Sequence, residues 1–372
     1  MKNIALFKDP FYQLPKRYEG NFSQFVKDNL VKYREKLADF DSWLKEDIEK
    51  ERILIEELCD SINNTIELYL KGLPCKAYTA LCKSLIELKP FLLYPTSESV
   101  LLIGGNINNY FRIRESFFKI EKEGIFHIAF KSRHETQSYR YSIPGVPCLY
   151  LSNSVFLCWE EIGKPINKRL YCSRFEIDRN KLKTLNLSFT PAKVLNMYNP
   201  EKHELTFSLC KHFIKRALIT WPILFACSIH TKCQKDKFKI EYVIPQLMMQ
   251  WCLENNDIDG ICYYSVRSRY NNSLGYSLYQ DNLALPAKVN LDNGLCSVLK
   301  KKIKLSEPQL IKSYNYLKTK KLSKEDFDLW INNNPPGFVN FVGRKTVTHE
   351  TQPGIFDKFE IELLKQPVDY IK

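Results

Sequence analysis

Apolar side chains between positions 48 and 70 fall at Ile48, Ile55, Leu58, Cys59, Ile62, Ile66, Tyr69 and Leu70. Their period near 3.6 predicts an amphipathic helix. Glu46, Glu49, Lys50 and Glu56 take the other faces. Gly72 supplies a stop, and Pro74 can open a second helix. There Ala77, Leu81, Leu85 and Leu88 keep helical spacing as far as Pro90. Residues 20–90 therefore read as a helical module that packs rather than carries chemistry. Its stripe must be buried, most simply against the rest of the chain or a second subunit.

Beyond Pro95 the texture changes to short alternating or apolar runs broken by Gly, Pro, Asn and Ser. Strands are expected at 99–103, 110–114, 148–151, 174–177 and 261–265, and helices at 154–162 and 245–254. Residues 96–295 read as a mixed α+β domain. A basic segment follows from 296, then the Pro335-Pro336-Gly337 turn and short strands near 338–342 and 359–363. The expected division is thus 1–95, 96–295 and 296–372, with no internal repeat and no low-complexity tract.

The chain has 372 residues, 44% apolar and 26% charged, which excludes disorder, collagen and coiled coil as readings of the whole. The net charge of +13 suggests nucleic acid, but nine Lys and one acid lie between 300 and 324. A solvated basic tail explains that cluster better than a patch for an anionic partner. The apolar stretch at 217–229 contains Pro222 and is too short to span a bilayer. The first residues are too short in apolar content for a signal peptide. A cytoplasmic protein is expected. The 12 cysteines include no Cys-x-x-Cys and read as reduced core thiols. Cys210, His212, Cys227, His230 and Cys233 cluster without the paired spacing of structural zinc sites, so no metal is expected.

Four segments could carry chemistry. In Tyr110-Phe111-Arg112-Ile113-Arg114, strand alternation puts Arg112 and Arg114 on one face. Paired guanidinium forks suit a phosphate or pyrophosphate. Arg140-Tyr141-Ser142 leads through a Pro-Gly-x-Pro turn to a short strand carrying Tyr150. Ser152, Asn153 and Ser154 then offer an N-cap for a helix ending Trp159-Glu160-Glu161-Ile162. On it Ser154, Cys158 and Glu161 share one face, while Glu160 lies about 100° away. Finally, Asp259-Gly260 opens a strand ending on Ser265, and Asp281-Asn282 precedes an apolar stretch.

Taken in order, these pieces resemble the RES domain. Its pattern is an early strand Arg, a later Arg before a Gly turn, Leu-Tyr, a Ser four residues on and a Glu eleven after the Tyr. An Asp-Gly strand ending in Ser and an Asn follow. Arg112 or Arg114, Arg140, Tyr150, Ser154, Glu161, Gly260, Ser265 and Asn282 take these places, over residues 100–290. Where the family often has Gly-Arg followed by Trp or Tyr and Asn, this chain has Tyr139-Arg140-Tyr141-Ser142. The helical module is similar to an N-terminal extension of longer RES proteins.

The resemblance implies an α+β, ADP-ribosyltransferase-like mixed sheet with flanking helices. It implies cleavage of NAD+ at the nicotinamide–ribose bond by phosphorolysis or hydrolysis, by a toxin held in check by an antitoxin or immunity protein. Glu161, Arg140, Tyr150 and Ser265 are the expected catalytic residues. Arg112, Arg114, Tyr141, Ser154 and Asn282 are expected to bind NAD+. No cofactor is implied: NAD+ is the substrate, and inorganic phosphate the co-substrate in one variant. The helical module could also join copies of the chain. An ADP-ribosyltransferase acting on a macromolecule is the alternative from the same pocket. Nucleic-acid binding or ribonuclease action is the weaker one, resting on Arg344-Lys345-Thr346-Val347-Thr348-His349. An inactive RES-like binding partner is a third.

Overall fold

The computed structural model describes residues 7, 9–38, 42–93, 107–165, 168–191, 193–194, 207–267, 281–289, 293–311 and 352–371. The expected strands at 99–103 and 338–342, the Arg344–His349 spacing and most of the basic segment lie outside them. The helices are α1 (Phe22–Ala38), α2 (Ser42–Lys50), α3 (Arg52–Leu70), α4 (Pro74–Leu92), α5 (Lys122–Ile125), α6 (Val155–Glu161), α7 (Phe207–Cys227), α8 (Val243–Glu254), α9 (Ser297–Lys302) and α10 (Gln352–Leu364). The strands are β1 (Ile107–Glu115), β2 (Cys148–Ser152), β3 (Leu170–Asp178), β4 (Thr184–Leu187), β5 (Gly260–Tyr264), β6 (Asp281–Pro286), β7 (Ile303–Leu305), β8 (Gln309–Leu310) and β9 (Asp369–Tyr370).

These strands form one open mixed sheet in the order β4-β5-β6-β2-β1-β3-β7-β9, with β8 also on β3. β4 and β5 are parallel, and the other pairs are antiparallel. The fold is α+β. Gly260 at the head of β5 is required by close approach: a Cβ there would lie 2.5 Å from the Ala284 carbonyl oxygen of β6.

The helical stripe is buried inside the same chain. Ile55, Leu58, Ile62 and Ile66 of α3 share one core with Ile214, Leu218 and Trp221 of α7, Met248 of α8, and Leu185 and Ile261 of the sheet. Fully burying each such side chain contributes roughly 1.5–3 kcal/mol. The second half of α7, residues 217–227, is buried on every side by the other helices and the sheet, while its first half carries Lys211 and Lys215 paired to Asp47 and Glu51. Gly72, at φ +76°, ends α3 as expected. Leu70 departs from the expected stripe: it is half exposed at the last turn. Helix α4 also runs through Pro90 to Leu92. No described helix is long and apolar enough to cross a membrane.

Residues beyond 296 correct two expectations. Residues 359–363 were expected as a strand and are helix. Phe356, Phe359 and Leu363 recur at i, i+3 and i+7, and all three are buried with Phe111, Trp159 and Cys172. The described part of the basic segment is not a solvated tail. Ile303–Leu305 pairs with β3, Lys302 bonds Asp259 at 2.6 Å, and Lys304 meets Glu176 at 3.4 Å.

Candidate active site

Strands β1 and β2 are hydrogen-bonded at only one register point, Phe111 opposite Ser152. Beside this splayed junction lies a cavity of about 420 Å³, within the range of small-molecule sites. Its wall takes residues from β1, β2, β6, the end of α6, the stretch after β5, and the loops around 137–140 and 231–234.

Helix α6 is started by Ser154, whose Oγ accepts the Leu157 N–H at 3.1 Å. Seven residues later the helix delivers Glu161 to the cavity. Glu161 Oε1 accepts from Ser265 Oγ at 2.5 Å and from Asn282 Nδ2 at 2.6 Å. The Asn282 oxygen accepts from Ser152 Oγ at 2.6 Å. Three strands or their ends thus fix one carboxylate. Glu160 points elsewhere: it is buried and pairs with Lys164 at 2.5 Å.

The charges around Glu161 are cationic. Arg112, Arg140 and Arg267 line the cavity with this one carboxylate. Arg112 Nη1 donates to the Tyr150 carbonyl at 2.8 Å. Its Nε is buried without a hydrogen-bond partner among the described residues. Burial, then the neighbouring Arg114, lowers the Arg112 pKa. An anion there would relieve both costs. Arg267 Nη1 donates to the Glu161 carbonyl at 2.6 Å, its Nε lies 3.8 Å from Glu161 Oε2, and Nη2 reaches Gln234 at 3.4 Å.

Arg140 builds the wall. Its Nη1 donates to the Cys227 and Glu241 carbonyls at 3.1 and 3.3 Å, and its Nη2 to the Ile229 carbonyl at 2.8 Å. The guanidinium lies 5.0 Å from the centre of the Tyr242 ring. The N-terminal module braces the same wall. Lys16 pairs with Ile229, and Tyr18 donates to Glu241 at 2.8 Å.

The cavity therefore brings together Arg112, Arg140, Tyr150, Glu161 and Asn282, with Ser265 touching Glu161. Tyr150 donates its hydroxyl to the Tyr141 carbonyl at 2.7 Å, and burial pushes its pKa well up. Tyr141 stands behind the lining, its ring 4.3 Å from that of Tyr263. Ser154 is a helix cap, and Arg114 turns to the Gly124 carbonyl. Arg267, Thr231, Gln234, Gln137, Tyr139 and Tyr263 also line the cavity and were not anticipated as site residues.

Among the described residues, no three His, Cys, Asp or Glu side chains gather to hold a metal. The Cys210 side chain lies outside the described part. Cys227 is buried against Tyr141, with its thiol pKa pushed up to about 12 by burial, and Cys233 is exposed.

No family model matches the chain. Over 264 residues it is 35% identical to a Bacillus subtilis (strain 168) protein named "Putative toxin YopC". The match covers 68% of this chain and 58% of that one, so the chain spans a little over half of its curated relative. A chain from the crystal structure of the M. tuberculosis MbcT–MbcA toxin–antitoxin complex is 12% identical, with 58% of this chain and 93% of that chain covered. Its TM-score of 0.28 is too low to assign a shared fold.

Proposed function

We propose that this chain breaks the nicotinamide–ribose bond of NAD+, passing the ribosyl group to phosphate or water, and thereby acts as a toxin. The observation that carries the reading is Glu161. Among the described residues it is the one carboxylate that lines a cationic cavity, with Ser265 and Asn282 holding one of its oxygens. The order of the RES-like residues along the chain supports it. So does the name of the B. subtilis relative, for the toxin part.

The mechanism uses these groups as follows. The bond between ribose C1′ and the pyridinium nitrogen breaks, and its electron pair leaves with neutral nicotinamide. Positive charge grows on the ribose, as in glycoside cleavage. The Glu161 carboxylate faces that charge or holds the ribose hydroxyls. Arg112 and Arg267 receive the pyrophosphate, and Arg140 keeps the wall in shape. A phosphate oxygen or a water then bonds to C1′, and an attacking water releases its proton to solvent. No group in this scheme is a metal. A partner antitoxin is part of the proposal, as is action in the cytoplasm.

The test is incubation of purified protein with NAD+, with and without phosphate, followed by mass analysis. Free nicotinamide with ADP-ribose, or with ADP-ribose 1″-phosphate, supports the reading. Nicotinamide with ADP-ribose attached to a macromolecule shows a transferase instead. Intact NAD+ overturns it.

A further inference from the structure

We propose that Tyr139 is the platform on which the adenine of the dinucleotide stacks, making it a specificity-determining residue. The inference rests on the NAD+ reading of the cavity. Tyr139 lines the cavity yet is 45% exposed, so its ring stands at the mouth. Its backbone and its hydroxyl are both held in place. The ring meets that of Tyr150 at 5.4 Å and 64°, and the 45% exposure of Tyr139 leaves ring surface for a base. The hydroxyl donates to Gln137 Oε1 at 3.3 Å. The backbone N–H donates to Ser142 Oγ at 2.7 Å, and the carbonyl accepts from Gln246 Nε2 at 3.2 Å. The next residue, Arg140, is tied to the Cys227, Ile229 and Glu241 carbonyls. An aromatic ring that is already ordered stacks a flat base at little entropic cost.

The choice of base follows from the distribution of groups. The nicotinamide departs from the carbon that Glu161 faces, at the end of α6 beside Ser265 and Asn282. Among the described residues, no hydrogen bond or ring contact joins Tyr139 to Glu161, Ser265 or Asn282. Tyr139 contacts Tyr150 and Gln246, whereas Glu161 is held by Ser265 and Asn282, so the base that is not cleaved off is assigned to Tyr139. Arg112, which donates to the Tyr150 backbone, is placed for the pyrophosphate that links the two ends. Stacking one base on an aromatic side chain is worth about a tenfold change in affinity or more.

The experiment is a calorimetric titration of wild type, Tyr139→Ala and Tyr139→Phe with NAD+, ADP and nicotinamide mononucleotide, the two nicotinamide ligands supplied as their uncleavable carbocyclic-ribose analogues. ADP carries adenine alone, and the mononucleotide carries nicotinamide alone. Expected is an approximately tenfold loss for NAD+ and ADP in the Ala variant, with mononucleotide binding within about twofold of wild type. The Phe variant, which keeps the ring, restores both losses. A loss confined to the mononucleotide puts the wrong base on Tyr139 and overturns the inference. So does a uniform loss for all three, or none. Wild-type protein that binds none of the three overturns the NAD+ reading and this inference together.

Discussion

Asn282 donates its amide to Glu161 Oε1 at 2.6 Å while its own oxygen accepts the Ser152 hydroxyl, also at 2.6 Å. Ser152 and Asn282 face each other in the β2–β6 ladder, so the sheet itself sets this geometry. The Ser152 hydroxyl decides which end of the amide meets the carboxylate. Without it, the Asn282 oxygen can turn toward Glu161 and repel it. One such hydrogen bond is worth about 1 kcal/mol, or roughly fivefold. Ser152→Ala is expected to lower the kcat of nicotinamide release by about five- to tenfold with little change in KM. Ser152→Thr should keep most of the rate. An equal loss in both variants would mean that packing, not the hydroxyl, is at stake.

The two adjacent acids separate chemistry from stability. Glu161→Gln is expected to lose at least about two orders of magnitude in rate, comparable to deleting one transition-state stabiliser. Glu160→Gln should keep the rate. Its cost is the pair with Lys164, on the order of 1 kcal/mol because Lys164 is still 32% exposed. Nicotinamide release and urea unfolding read the two effects. A dead Glu160→Gln beside an active Glu161→Gln would reverse the assignment.

The position of Glu161 was legible because its signals are local: a Ser154 cap, then seven residues of helix. Arg267 was not anticipated, although a signal existed. Tyr263, Ser265 and Arg267 alternate, and the expected strand stopped at Ser265, one alternation short. The wall made by Thr231 and Gln234 had no such signal, since only tertiary contacts bring a loop to that place. In Phe359-Glu360-Ile361-Glu362-Leu363, two periods compete. Apolar and acidic residues alternate as in a strand, yet Phe356, Phe359 and Leu363 also fit a helix. The helix wins because those three fill the space over Phe111 and Trp159. The second half of α7 was hidden by its uniformity, as the run 217–227 is buried on every side and has no face to read.

The same helix α10 reaches the site from the far end of the chain. Glu360 is buried, and its Oε2 accepts the Val155 N–H at 3.0 Å, at the first turn of the helix that carries Glu161. A cap of this kind is worth about 1 kcal/mol. Glu360→Ala is expected to lower the thermal midpoint and to lower kcat by about tenfold, because α6 loses its anchor. A lower midpoint with unchanged kcat would show that α10 supports the fold without setting the position of Glu161.

His127, which does not line the cavity, gives the fold an acid-sensitive element. Its Nε2 accepts the Cys296 N–H at 2.8 Å, and Nδ1 lies 2.8 Å from the Ile128 carbonyl. Both contacts suit a neutral ring with its proton on Nδ1. Burial, against a smaller opposing effect of the Ile128 carbonyl, lowers its pKa to about 4. The unfolded value is about 6.5. Between these values the unfolded chain binds a proton that the folded chain refuses. Stability therefore falls as pH drops from about 6.5 to about 4, and this loss stops growing below that. The expected loss from His127 is about 2 kcal/mol by pH 5. Urea unfolding of wild type and His127→Gln at pH 7 and pH 5 isolates it. The substitution costs stability at both values, so the comparison is of the two slopes. Burial also lowers the His230 pKa to about 4, but His230 is present in both proteins and cancels in the difference. The wild type should lose about 2 kcal/mol more than the variant between the two pH values. Equal losses would show that His127 takes up its proton without leaving the fold.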